Sequence, residues 1–361
     1  MRFHFLDSVR GLAALWVVLD HISNYNANLQ ASMNHVLYTW IFDIGRIGPV
    51  VFFVLSGYVI SHSLRNNRQT LKDSGTFIAR RWMRLSPPYY AAVVLAIVVS
   101  YVASHVKGEF YELPSLGNLV AHVFYVPDLL HLHMVNGVHW TLYLEVQFYA
   151  LLWLFQWAFI RLRHRVPAAA FALLGACMAI TVAWPILGWL HHRETYFAPY
   201  VYTFFLGVLL YWARQRVIPR WVSTVYLLAV GVGWIVQKDV LAGGAFVTGC
   251  LIWLAESGIR METWLQAKPF QVLGAISFSV YLVHSPIMGV TNWAGIKLIG
   301  DSAAAQAVMV IPYVITSLVS GWVAWWLIER RAIEWSRRIG STKRAEPLLV
   351  VGSPSRGLSG G

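Results

Sequence analysis

Long apolar stretches alternate with short polar breaks from one end of the chain to the other. A helix that crosses a bilayer core of about 30 Å needs about 20 mostly apolar residues. Stretches of this kind predict ten helices. They cover residues 9–26, 46–63, 87–105, 141–160, 167–189, 197–213, 221–237, 240–256, 271–291 and 305–328. The pattern therefore predicts an all-α, polytopic integral membrane protein with about ten transmembrane helices.

The polar connections carry a charge asymmetry. Lys and Arg concentrate on the cytoplasmic side of short membrane connections. With the N-terminus inside, five of the 28 Lys and Arg residues fall on the outer side and the rest on the cytoplasmic side. The five are Arg46, Lys107, Arg193, Lys238 and Lys297. This split predicts that both termini are cytoplasmic.

Two segments outside the predicted helices stand apart from the other connections. Residues 105–140 form the longest outward-facing connection and hold five of the 13 histidines. They are expected either to close over a substrate or to form an ordinary solvated loop. Residues 1–328 are assigned to a membrane domain. Residues 329–361 are assigned to a cytoplasmic segment, with a basic amphipathic helix on the leaflet surface and then a disordered tail.

Composition supports a membrane protein. The chain is 58% hydrophobic and 12% charged, with a mean hydropathy of +0.56, which is more apolar surface than one soluble core can bury. The net charge of +12 does not indicate nucleic-acid binding, because the basic residues sit in short clusters between apolar stretches. Cys177 and Cys250 lie inside apolar runs, which argues against a disulfide framework. Residues 1–26 show no cleavage site, which argues against a removable signal peptide.

The first predicted helix carries ionisable residues at membrane depth. Arg10 and His21 are separated by close to three helical turns, so they share one face. His21 lies about 16 Å beyond Arg10, near the membrane centre, and Asp20 points about 100° away from it. An ionisable side chain at this depth indicates function. A histidine that hydrogen-bonds a neighbouring helix is the alternative.

A basic cluster precedes the third predicted helix. Arg80 and Arg84 are one turn apart, with Arg81 alongside. Guanidinium groups match phosphate oxygens, so the cluster suits a phosphate-rich donor that docks from the cytoplasm. The alternative is a positive-inside anchor that binds lipid headgroups.

Two further ionisable residues lie in distant predicted helices. Glu145 follows Trp140 and lies about 6 Å below the outer interface, and His284 lies about 20 Å above the cytoplasmic one. Together with His21 they fall between the membrane centre and its outer side, as in a site lined by several helices. Structural contacts between helices are the alternative for each.

Motifs of soluble enzymes are absent from the sequence: there is no Gly-x-Ser-x-Gly elbow, no His-Glu-x-x-His and no phosphate-binding glycine loop. The pairs His131 and His133, and His191 and His192, match no standard metal spacing, so no metal is expected. The sequence shows no internal repeat of the kind that many transporters have.

Five ordered segments together resemble the acyltransferase-3 family of bacterial membrane acyltransferases. They are Phe5–Ala14 followed by His21, Phe52–Tyr58, the arginine cluster ending at Pro87, Trp140–Tyr149, and Tyr281–Pro286. Two positions depart from the family pattern. Val146 stands where many members have a second Glu, and Ser285 stands where Trp is common.

The resemblance implies an acyl-CoA-dependent O-acyltransferase of the bacterial inner membrane. It implies transfer of an acyl group, most often acetyl, from cytoplasmic acyl-CoA to a sugar hydroxyl. The sugar would belong to a surface polysaccharide, a lipid-linked glycan or a glycosylated metabolite. Arg10 and His21 are expected to be essential, with His21 as general base or transient acyl carrier. Glu145 is expected to orient His21 or to bind the sugar.

The remaining roles are hypotheses about the mechanism of such an enzyme. Arg80, Arg81 and Arg84 are expected to hold the CoA phosphates, and Arg10 the pantetheine side or the thioester oxygen. The sugar acceptor is expected to contact His284, Tyr281 and Trp140. The alternative from another class is a transporter or flippase in which intramembrane His and Glu form a proton relay.

Overall fold

A computed structural model describes residues 4–65, 70–188, 198–257 and 264–340, and all regular secondary structure in these ranges is helical. A long helix stands at each of the ten predicted positions. They are α1 His4–Ile22, α2 Gly48–Leu64, α3 Leu71–Lys107, α4 Trp140–Arg165, α5 Pro167–Leu187, α6 Val201–Arg214, α7 Arg220–Gln237, α8 Val240–Glu256, α9 Lys268–Ile299 and α10 Ala303–Ala324. The prediction of an all-α polytopic membrane protein is confirmed. His191, His192, Arg193 and the tail beyond residue 340 lie outside the described residues.

Five stretches of the described residues are long and apolar enough to cross a membrane. They are Asp43–Leu64, Lys72–Lys107, Pro167–Leu187, Lys268–Ile299 and Ala303–Arg338. α1 is of similar length, but it carries Asp7, Arg10 and Asp20. A helix that lines a polar site is necessarily less apolar than one that faces lipid.

α3 is longer than the apolar pattern predicts. It begins at Leu71, where the side chain of Thr70 caps it by accepting a hydrogen bond from the Asp73 N–H. Pro87 and Pro88 lie inside the helix instead of at its start. Proline removes a backbone donor, but membrane helices tolerate this where neighbouring groups satisfy the backbone. The arginine cluster therefore sits on a continuous helix and not on a flexible connection.

The last helix continues past its predicted end. After α10 the chain makes a π-turn, Trp325–Glu329, in which the Arg330 N–H bonds to the Trp325 carbonyl, and it then enters α11, Arg330–Arg338. α11 packs against α3. A π-turn places an extra residue in one helical turn and often marks a functional position. Glu329, which the sequence assigned to the cytoplasmic segment, is buried in the helix bundle.

The 105–140 connection is packed onto the helices. It includes a short helix, Leu116–Val123, in which His122 is buried. The His122 Nδ1 lies 2.8 Å from the hydroxyl of Tyr89 and 3.2 Å from that of Tyr143. Buried polar groups that bond one another fix a segment in place. This arrangement is not that of an ordinary solvated loop.

α1 and α9 cross at a pair of glycines. A Cβ at Gly11 would lie 2.6 Å from the Gly274 nitrogen, and one at Gly274 would lie 2.2 Å from the Asp7 carbonyl oxygen. Small residues allow such close approach of membrane helices. The crossing sets Arg10 against α9, and three turns further on it brings His21 beside His284.

Candidate active site

A cavity of about 740 Å³ lies among α1, α2, α3, α4, α9 and the π-turn with α11. Five of the predicted site residues line it: Arg10, Arg81, Arg84, Glu145 and Tyr281. The cavity also exposes ionisable residues that the sequence analysis did not select: Asp7, His62, Glu329, Arg330, Glu334 and Arg337. Residues from distant parts of the chain thus converge on one polar space.

Arg10 is held in place by α9. Its Nε donates a hydrogen bond to Ser277 Oγ at 2.9 Å, and its Nη2 donates to the Gly274 carbonyl at 2.9 Å. Nη2 also lies 3.2 Å from Asp7 Oδ1, one turn earlier on α1. A guanidinium with this many partners has a fixed direction. Arg10 therefore presents a positioned charge to the cavity.

Glu145 is held by hydroxyl groups. Ser56 Oγ on α2 donates to Glu145 Oε1 at 2.5 Å, and the hydroxyl of Tyr149 donates to the same oxygen. The guanidinium of Arg81 lies 5.5 Å from the centre of the Tyr149 ring. Glu145 thus belongs to the cavity, and its hydrogen bonds go to Ser56 and Tyr149 rather than to His21.

The three clustered arginines of α3 divide between two directions. Arg81 and Arg84 line the cavity. Arg80 instead donates from Nε to the Ile339 carbonyl at 2.7 Å and from Nη2 to the Gly340 carbonyl at 3.2 Å. Arg80 therefore ties the end of α11 to α3, outside the cavity.

Glu329 is a polar residue of the cavity that the sequence analysis missed. Ser279 Oγ on α9 donates to its Oε2 at 2.5 Å, and its side chain is buried. The sequence does hold a signal, because Glu329 follows the apolar run Trp325–Ile328 directly. A carboxylate at the end of such a run is costly to bury unless it has partners.

The two predicted histidines meet away from the cavity lining. The rings of His21 and His284 have their centres 4.9 Å apart, at 83° to each other. His21 Nδ1 lies 2.9 Å from the Val17 carbonyl, and His284 Nδ1 lies 2.7 Å from the Tyr281 carbonyl. His284 is fully buried, whereas 29% of the His21 side chain is exposed.

An apolar layer lies at the end of the cavity nearest the histidine pair. Val17, Val138 and Tyr281 form a small buried cluster, and Phe52 packs against it. The Tyr281 hydroxyl donates to the Val138 carbonyl and accepts from Thr141 Oγ1, both at 2.8 Å. Since Phe52 and Tyr281 also line the cavity, this layer forms its inner end.

Trp140 lies outside the lining of the cavity. Its ring centre is 6.1 Å from that of Phe53 and 5.3 Å from that of Tyr200. Within the described ranges, no group of three or more His, Cys, Asp or Glu side chains is arranged to hold a metal ion.

Comparisons with known proteins agree with the resemblance. A family model described as an acyltransferase domain matches residues 3–329. A putative membrane-bound transacylase, BcsY, of Komagataeibacter xylinus is 26% identical, over 96% of this chain and 87% of its own length. The exopolysaccharide production protein ExoZ of Rhizobium meliloti is 27% identical, over 82% of this chain and 92% of its own. The peptidoglycan O-acetyltransferase OatA of Listeria monocytogenes is 24% identical, over 80% of this chain and 49% of its own length. No solved structure matches the chain.

Proposed function

The chain belongs to the acyltransferase family whose model matches residues 3–329, and from this premise we propose that it moves an acyl group, acetyl first of all, from cytoplasmic acyl-CoA to a sugar hydroxyl. Its relatives and its apolar helices make it a multi-pass membrane O-acyltransferase. The acceptor class is a surface polysaccharide, a lipid-linked glycan or a glycosylated metabolite. Two relatives are named for exopolysaccharide production and for peptidoglycan O-acetylation.

One observation carries the proposal: a single cavity gathers Arg10, Arg81, Arg84 and Glu145 from three helices. Arg330 and Arg337 add two more guanidinium groups to the same lining. Guanidinium groups bind phosphate oxygens by paired, charge-assisted hydrogen bonds. This lining suits the phosphates of CoA.

The proposed donor enters from the cytoplasm, the side on which the charge asymmetry predicts the start of α3 and the end of α11. Arg81 and Arg84 hold the phosphates of the donor. Arg80 fixes α3 against the end of α11 by donating to the carbonyls of Ile339 and Gly340. Arg10 faces the thioester, because it is fixed deeper along α1. The acyl group then points at the apolar layer that contains Phe52 and Tyr281.

His21 is the proposed general base. Of the two rings, His21 is the one with exposed surface, because His284 is fully buried. Histidine side chains change charge near neutral pH, so an imidazole is suited to take a proton from a hydroxyl. Transient acyl transfer to His21 is the second possible route. Tyr281 and Trp140 are the proposed boundary of the acceptor side, and His284 lies buried beside His21.

The test uses the purified full chain in detergent with acetyl-CoA and a glycan extract of the source cells as acceptor. Release of free CoA thiol that depends on protein and on Arg10 supports the proposal, with Arg10→Ala as the inactive comparison. Mass spectrometry of surface glycans from cells with and without the gene then identifies the acylated sugar. Substrate movement across vesicles without chemical change would instead support the transporter interpretation, which family membership disfavours.

A further inference from the structure

The histidine pair has an unusual pattern of hydrogen bonds. A carbonyl oxygen only accepts, so the Nδ1 atoms of His21 and His284, each beside a carbonyl of its own helix, must carry the protons. In a neutral imidazole the other nitrogen is then an acceptor. In the neutral form of each ring, Nε2 is therefore a lone-pair acceptor.

The Nε2 of His284 is an acceptor without a donor. His284 is fully buried, its Nδ1 lies near the carbonyls of Tyr281 and Val280, and its Nε2 has no hydrogen-bond partner among the described residues. A buried polar atom without a partner is unfavourable, so a partner that arrives during the reaction would be favoured.

His21 is the neighbour able to supply that donor. The two rings are in edge contact, with centres 4.9 Å apart. A neutral His21 offers only a lone pair at Nε2, but a His21 that has taken a proton offers an Nε2–H. The acceptor sugar cannot fill this role in the observed conformation, because His284 is fully buried while His21 is partly exposed.

From this geometry we propose that His284 is a positioning residue that accepts a hydrogen bond from His21 after His21 has taken the acceptor's proton. This inference rests on the proposed function of His21 as general base. It gives His284 a role that acts through His21 rather than by contact with the sugar. Binding of the proton satisfies the orphan Nε2, so the charged state of His21 is stabilised selectively.

The reaction balances with one proton held by the pair. The acceptor O–H breaks and its proton moves to His21 Nε2, while the oxygen forms a bond to the acyl carbon. The thioester C–S bond breaks, and the leaving thiolate finally receives the proton from His21. During the interval His21 Nε2–H donates to His284 Nε2. No oxidant or reductant is needed.

Other charged and titratable groups surround the pair, and all stay unchanged in the test. Asp20 Oδ2 lies 3.9 Å from His21 Nδ1. Asp43 and Arg46 act on Asp20 from the neighbouring segment, and His139 acts on His284.

The kinetic test compares two amide substitutions at one position. The amide of His284→Gln extends far enough to place an acceptor near the Nε2 position, whereas the shorter amide of His284→Asn reaches only the Nδ1 position. Thiol release from acetyl-CoA should fall about 10- to 100-fold in His284→Asn, the size of one hydrogen bond to a charged group, with the donor KM unchanged. His284→Gln should recover most of this rate. Equal losses in both variants, or losses that follow thermal stability, would overturn the role.

A second measurement does not depend on activity. In protein labelled with ¹⁵N-histidine, wild-type His21 and His284 should both carry the proton on Nδ1 at neutral pH, and acidification should add one proton to the pair instead of two. A proton on His284 Nε2, or independent titration of the two rings, would overturn the proposal. If acetyl-CoA releases no thiol from any variant, the donor assignment fails, and the ¹⁵N spectra alone decide the role of His284.

Discussion

The charged cavity and the histidine pair have two helices in common, α1 and α9, yet they are built differently. In the cavity, Arg10 and Glu145 each have several hydrogen-bonding partners and face an open, polar space. The histidine pair consists of two imidazoles anchored to their own backbones, one of which has a nitrogen with no partner among the described residues. Fixed charges suit the binding of an anionic donor, whereas an imidazole that can change charge suits proton transfer.

The apolar layer makes the difference between the two regions possible. Val17, Val138 and Tyr281 with Phe52 lie between the charged side chains of the cavity and the histidines. A thioester held against this layer is shielded from bulk water, which limits wasteful hydrolysis. The division predicts that substitutions in the two regions will change different kinetic constants.

The largest effect is expected at His21. His21→Ala should lower turnover by about 10²- to 10⁴-fold, equivalent to roughly 3–5 kcal/mol of barrier, because it removes the base without disturbing the cavity. The donor KM and the thermal stability in detergent should stay close to wild type. Acyl transfer per folded molecule is the measurement. A stable His21→Ala protein with near-normal turnover would move the chemistry into the cavity, to Glu145.

Substitution of a cavity arginine is expected to have a smaller effect, and on the donor KM instead of on turnover. Arg84→Ala should raise the donor KM about tenfold or more with little change in kcat, because it removes a charged partner of the donor phosphates. Arg80→Ala is the matched comparison on the same helix, since Arg80 bonds to the end of α11. Steady-state kinetics with acetyl-CoA separates them. If Arg80→Ala alone raises the KM, the donor lies on the outer side of α3, and the cavity assignment is wrong.

The layer itself should govern acyl size. Phe52→Ala enlarges the apolar end of the cavity, so the ratio of butyryl-CoA to acetyl-CoA use should rise about tenfold, within the range for small changes in an apolar pocket. Val59→Ala, which alters the same helix and cavity two turns nearer the cytoplasm, should leave the ratio unchanged. An assay in which butyryl-CoA and acetyl-CoA compete measures this ratio of donor use. An unchanged ratio in Phe52→Ala would place the acyl group elsewhere.

The smallest effect on activity is expected for two cysteine variants that test the orientation of the protein in the membrane. Gly75→Cys and Gly117→Cys add side chains in open space, because a Cβ at Gly75 would have no neighbour within 4 Å and one at Gly117 would meet only Ser115 Oγ at 3.9 Å. Both variants should therefore remain active. An impermeant thiol reagent on intact cells should label position 117 and spare position 75. The reverse labelling would invert the topology and place the charged cavity on the outer side.

Periodicity alone predicted much of this arrangement. The eleven-residue spacing correctly put Arg10 and His21 on one face of α1, and apolar length located all ten long helices. Contacts between helices could not be predicted. Periodicity gives the helix face on which a residue lies, but not which other helix packs against that face. Arg80 and Arg81 are adjacent, yet the position of α11 sends one to its carbonyls and the other into the cavity. Likewise, Glu329 enters the cavity through a π-turn that no apolar periodicity encodes.

That π-turn also sets a rule for rearranging the chain. The helical stretch from Ala303 to Arg338 is α-helical except for the π-turn at Trp325–Glu329. Removing one residue there would rotate everything downstream by about 100° relative to α10. Arg330 and Arg337 would then turn away from the cavity together. A chimaera or fusion joined at this end must therefore conserve residue count across the turn, even where it changes residue identity.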